Sequence, residues 1–160
     1  MMEKIIEKME EYKIITEFIP GFILLFLLKY WIELDICFES IFQELVLAYV
    51  IGVAISRIAS LVFSRFLRKM KFYKMADYKD YINASNKDEK IKVLLINANF
   101  YRNLSTTFII STIIKLLLLI NLNIEIYKWI TVFGLIILFA AAFIKEEKTI
   151  TRRINEVKDK

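Results

Sequence analysis

The stretch Leu45–Phe63, LVLAYVIGVAISRIASLVF, is an apolar run broken by a single charge, Arg57, and its reading decides how the rest of the chain is understood. Its length falls within the ~17–25 residues that a helix needs to cross a bilayer core. A soluble domain seldom carries such a run, and the whole 160-residue chain is 58% hydrophobic, with only three glycines and one proline. Further apolar stretches lie at 14–31, 104–120 and 129–144. The expected fold class is all-α: a polytopic membrane protein with four transmembrane helices, forming a single membrane domain over 1–160.

Basic residues set the expected topology. Segments 1–16, 64–103 and 145–160 hold 3, 10 and 6 Lys/Arg, whereas the connections 32–44 and 121–128 hold only Lys128. The positive-inside rule then puts both termini and the central segment in the cytoplasm. Glu33, Asp35, Glu39, Glu44 and Glu125 face outward, and Tyr30, Trp31, Tyr127 and Trp129 fall at the outer headgroup boundary, where amphipathic rings settle. The opening MMEKIIEKMEEYK mixes lysines with glutamates and no small-residue cleavage site follows the first apolar core, so 1–16 is expected as a retained amphipathic helix. Pro20–Gly21 is the one clear breaker pair, and the first spanning helix is expected to start or kink there, most simply as a helix–turn–helix.

Cys37 is the only cysteine and the chain has no histidine. That excludes an internal disulfide, zinc sites built on Cys/His clusters and His-dependent acid–base chemistry. No catalytic, cofactor-binding or metal-ligating residues are expected, and an enzyme is not. The paired acids Glu146–Glu147 read as part of a solvated tail, 145–160.

Between the second and third spans, 64–103 is the one sizeable soluble element. Ser85-Asn-Lys-Asp88 resembles a capping box, so a helix is expected to begin near Asn86 and run unbroken to Ile120. Over about 50 Å, it outreaches the ~30 Å hydrocarbon core, and helices two and three are expected to extend together as a cytoplasmic hairpin.

Three constellations bear on function. Gly52, Ser56 and Ser60 form a small-xxx-small ladder for close helix packing, within one chain or between copies. Beside it, Arg57 has three options: pairing with Glu17 at similar depth, snorkelling inward, or lining a wet path. Lys115 interrupts the third span and either snorkels outward or, with Lys29, forms a positive ring in an oligomer. Asn97, Asn99, Tyr101, Arg102 and Asn103 make a polar network where the third helix meets the membrane, with i, i+4 pairs Asn97–Tyr101 and Asn99–Asn103 or bonds to a facing helix. The basic run Arg65–Lys74 lies just inside a span, which favours anionic lipid over nucleic acid as its partner.

The segments FIPGF (18–22), GVAISRIAS (52–60), ADYKDYINASNKDEKI (76–91) and NANFYRN (97–103) together resemble small bacterial four-helix inner-membrane proteins found among phage-defence and mobile-element genes. The resemblance implies an inner-membrane effector that damages the membrane on infection. Some membrane accessories of RNA-targeting CRISPR systems carry an Arg-x4–6-His nuclease motif, and without histidine this chain does not inherit it. The expected function is thus an oligomeric pore-forming effector, embedded in the lipid bilayer and free of cofactors. The alternative is a membrane anchor or regulatory subunit whose cytoplasmic hairpin binds a soluble protein.

Overall fold

The computed structural model describes residues 12, 14–118 and 126–158, and among them it is all-helical. Helix α1 is a π-helical turn, Ile14–Phe18, running directly into an α-helix, Ile19–Tyr30. Helix α2 spans Ile41–Lys69 with a π turn, Ala59–Phe63, in its length. A short α3 (Tyr78–Lys87) leads to two long helices, α4 (Lys90–Leu118) and α5 (Ile126–Lys158). All four apolar stretches fall on helices, as far as they are described. The expected amphipathic helix 1–16 lies almost entirely outside the described residues.

Two of these helices, α2 and α5, are long and apolar enough to cross a membrane, with mean hydropathy 2.2 and 2.0 in their most apolar windows. Only 22% and 11% of those windows are buried, so their apolar side chains face outward instead of forming a protein core. Four spans are not resolved by this criterion, for physical reasons. α1 is short, and α4 carries Asn, Ser, Thr and Lys side chains that the other helices cover.

Helix ends follow local chemistry. Ser40 caps α2, its hydroxyl accepting from the Gln43 N–H at 3.3 Å, while the Gln43 side chain accepts from the Glu39 N–H at 3.2 Å. The Ser85–Asp88 capping box does not form. Ser85 instead donates to the Ile82 carbonyl near the end of α3, and Asp88 accepts from the Lys90 N–H at 3.0 Å to start α4 four residues later than expected. Glu33 and Lys71, at φ 63° and 61°, sit just past α1 and α2 in the left-handed region usually given to glycine.

The central segment departs from the expected hairpin of helices two and three. α2 stops at Lys69, and the long antiparallel pair is α4 with α5, joined by Ser105 Oγ to the Ile136 carbonyl at 3.3 Å and Asp88 to Arg153 at 2.8 Å. The expected tail is helical and packed as far as it is described, over 145–158: Ile150 and Ile154 are buried with Ile91, Ala98, Ala84, Leu67, Tyr73 and Phe143 in one core. A second core, at the opposite end, joins Trp31, Ile32, Phe108 and Val132. Trp31 is therefore a packed residue, edge-on to Trp129 at 5.5 Å, while Tyr30 and Tyr127 are exposed as boundary rings would be.

α1 and α2 meet backbone to backbone. A Cβ on Gly21 would fall inside contact with the Ala48 carbonyl, and one on Gly52 would strike the Glu17 carbonyl. The buried line on α2 is Ala48, Gly52, Ile55 and Ala59. Gly21→Ala and Gly52→Ala are each expected to cost about 1–3 kcal/mol by forcing the helices apart. Gly134 has open space around it, so Gly134→Ala is expected to be neutral or to stabilise by about 0.5–1 kcal/mol. Reversible unfolding in mixed micelles measures all three.

Candidate functional site

Helix α4 carries polar residues at strict i+4 steps, Asn103, Thr107, Ser111 and Lys115, all on its buried side. Three of them reach main-chain carbonyls of α1. Asn103 Nδ2 donates to the Thr16 carbonyl at 2.6 Å and Lys115 Nζ to that of Trp31 at 2.6 Å, while the Thr107 hydroxyl shares its one proton between the Asn103 carbonyl at 3.0 Å and that of Pro20 at 3.4 Å. The first of these reaches a carbonyl that Pro20, four residues on, cannot serve because it has no N–H. The second satisfies the C-terminal end of α1, where carbonyls lack helical donors and the helix dipole favours a cation.

Lys115 therefore neither snorkels outward nor lines a ring. At 7% exposure it lies 5.8 Å from the centre of the Trp31 ring, closing the end of a neighbouring helix. Lys29 is exposed beside Tyr30 and does not join it.

The residues expected at the membrane boundary divide. Asn103 is buried, bonded to α1, and accepts from Arg102 Nε and Nη2 at 3.3 Å each. Tyr101 stacks on Phe139 of α5. Asn97 and Asn99 are half-buried, and neither i, i+4 pair forms. The expected network is thus an inter-helix contact centred on Asn103.

The small-residue ladder divides as well. Gly52 packs within the chain against α1, Ser56 is half-buried and Ser60 is exposed. Arg57 is exposed and forms no ion pair with Glu17, whose backbone, not its carboxylate, is the group that meets α2. Of the three options for Arg57, pairing within the chain is the one not realised among the described residues.

A charged cluster lies beyond the apolar stretch 129–144, and it includes Glu147, expected in a solvated tail. Glu147 of α5 is 7% exposed, near Arg102 of α4 and Arg68 of α2. Burial pushes its carboxyl up from the ordinary value, with Arg102 and Arg68 opposing. Burial also lowers Arg102 and raises the Tyr73 phenol, which donates to the Ser64 carbonyl at 3.3 Å. The signal that might have exposed Glu147 is its spacing: Phe143, Glu147, Ile150 and Ile154 follow one buried helical stripe. Among the described residues no group of three or more His, Cys, Asp or Glu side chains is placed to hold a metal.

Comparison of the chain with protein families, with curated proteins and with solved structures finds no match.

Two outcomes are expected. Asn103→Leu strands the Thr16 carbonyl and should cost about 1–3 kcal/mol. Pro20→Ala restores an N–H at that carbonyl, so the double variant should recover about 1 kcal/mol or more of that loss in a double-mutant cycle. For Glu147, the folded chain holds the proton to higher pH than the unfolded chain, so its contribution to stability is full below the ordinary carboxyl value of 4.5 and is lost as pH rises. Glu147→Gln stays neutral, so the stability of the variant relative to the parent should rise as pH increases above the ordinary carboxyl value of 4.5, as read by denaturant unfolding.

Proposed function

We propose that this chain is a four-span protein of the bacterial inner membrane, with both termini cytoplasmic, that self-associates through the outer face of α2 and permeabilises the membrane as an effector in phage defence. The observation that carries this reading is Arg57. It is exposed and without an ion pair among the described residues, and its neighbours on that face, Ala54, Ile58 and Leu61, are exposed too. A guanidinium turned to hydrocarbon costs about 2.5–3.5 kcal/mol at mid-span on insertion scales. Arg65 lies eight residues, or about 12 Å, further toward the inner boundary, so snorkelling relieves only part of this cost.

Association of copies on this face replaces lipid around Arg57 with protein and water. Ser60 brings a hydroxyl to the same surface. A water path would run between copies, since Asn103, Thr107 and Ser111 fill the interior of a single chain. The resemblance of the sequence to defence-associated membrane proteins supports the biological setting.

The test has two readouts. The detergent-solubilised chain should have the mass of several copies, and its expression should depolarise cells carrying a potential-sensitive dye, with Arg57→Leu reducing the response. A monomer, or depolarisation unaffected by Arg57→Leu, counts against the pore. A second reading, an anchor for a soluble partner, draws on the separate core around Ile91, Phe143 and Ile154. It requires a stoichiometric soluble protein that copurifies with the full chain and is lost on deleting 70–95.

A further inference from the structure

The core side of α5 is the stripe Phe143, Glu147, Ile150 and Ile154, turned to α3 and α4. On the opposite side Ile130, Ile137, Leu138 and Ala141 are exposed. Lys145, Lys148 and Arg152 continue that outward face, all three exposed, at the i, i+3 and i+7 spacing that keeps side chains on one side of a helix. With Ala141, Ile144 and Thr149 they line a cleft of about 450 Å³, and no acid lines it. Of the acids on neighbouring turns, Glu147 is buried on the core side, Glu146 is half-buried, and Glu156 meets Arg152 at 3.5 Å. That pair is 73% and 62% exposed, so it holds the guanidinium only weakly. Along the apolar part of the face Gly134 leaves a notch, since a Cβ there would have nothing within 4 Å. Gly134 and Lys145 are eleven residues apart, about 16 Å at 1.5 Å per residue, close to one leaflet of a ~30 Å hydrocarbon core.

We propose that this face binds one anionic phospholipid lengthwise, its phosphodiester among Lys145, Lys148 and Arg152 and an acyl chain along Ala141 and Leu138 as far as the notch at Gly134. The proposal rests on α5 crossing a membrane. Three features select this ligand. Three cations in one cleft without an acid favour an anion, and each basic side chain near a membrane surface strengthens the attraction to anionic lipid about fivefold. The planar fork of Arg152 matches two phosphate oxygens at once. The exposed apolar face leads straight into the cationic cleft, so one amphipathic molecule meets both, whereas a soluble anion uses the cations alone.

The test is native mass spectrometry of the full chain in a neutral detergent, titrated with dioleoyl phosphatidylglycerol or, as the net-neutral match with the same tails, dioleoyl phosphatidylcholine. The first phosphatidylglycerol should bind about tenfold or more tighter than the first phosphatidylcholine. Lys145→Gln/Lys148→Gln/Arg152→Gln should abolish that preference. Lys79→Gln/Lys87→Gln/Lys92→Gln, which removes the same charge from exposed positions on α3 and α4, should keep it. Gly134→Leu fills the notch and should weaken both lipids about threefold. Glycerophosphoglycerol, the headgroup without tails, should not displace the lipid at equal concentration. Equal affinity for the two lipids, a preference that survives the α5 triple variant or is lost equally in the α3–α4 one, no effect of Gly134→Leu, or displacement by the tail-free headgroup each overturns the proposal. The membrane placement is read separately, from whether the reconstituted chain stays with phosphatidylcholine vesicles through an alkaline carbonate wash. A chain that washes off refutes that placement and the site with it, and a chain that stays but shows no lipid preference refutes the site alone.

Discussion

Proline at position 20 has no N–H to give the Thr16 carbonyl four residues before it, in the turn where α1 passes from π to α geometry. Asn103 supplies the missing N–H from 87 residues away in the chain, at 2.6 Å. Once that contact is made, much of the register follows. Thr107 and Lys115, one and three turns further along α4, come opposite the carbonyls of Pro20 and Trp31. On the other side of α1, Gly21 is brought against Ala48 and Gly52. α1 is thereby fixed between two neighbours by different means: by hydrogen bonds to α4 and by backbone approach to α2. Both suit lipid surroundings, where no hydrophobic force draws helices together and close packing and polar contacts must do so instead.

Beyond the apolar stretches, contacts of another kind hold the end of the molecule built around Phe143. Aliphatic and aromatic side chains close around Phe143, whose ring lies 5.3 Å from that of Tyr73 and nearly perpendicular to it. Two ion pairs, Asp88–Arg153 and Asp80–Lys158, each at 2.8 Å, tie the end of α5 to the start of α4 and to α3. The Lys90 backbone N–H, followed by Arg153, lowers the Asp88 carboxyl below its ordinary range. Pairs as exposed as Asp80–Lys158 contribute little to stability, so their role is to fix the position of a helix end that the core already holds.

Much of this was legible from residue patterns, and the remainder failed for identifiable reasons. Apolar runs located the helices because length and hydropathy are local properties. Gly52 stood out because a glycine inside an apolar helix needs a reason, and the reason is Glu17 and Gly21. Spacing puts Ser56 and Ser60 on the same face, but the buried line turns through Ile55 to Ala59, following the crossing of α1 over α2, which no single-helix pattern encodes. Lys115 and Asn103 stand out as polar residues in an apolar helix, yet their acceptors are carbonyls of α1 and its C-cap, far away in sequence. Glu147 escapes the sequence pattern because a charged run after an apolar stretch looks solvated. It is covered only because α5 continues past that span and packs on α4 and α3.

α5 runs for 33 residues without a proline, about 50 Å at 1.5 Å per residue, from the Trp31–Trp129 contact at one end to a cavity lined by Glu147 and beyond. Its one glycine, Gly134, faces open space and breaks nothing. A rod of that kind is a lever. A change of tilt at its Trp129 end becomes a sideways displacement at Glu147, and crowding of the cavity near its other end acts back on the tilt in the same way.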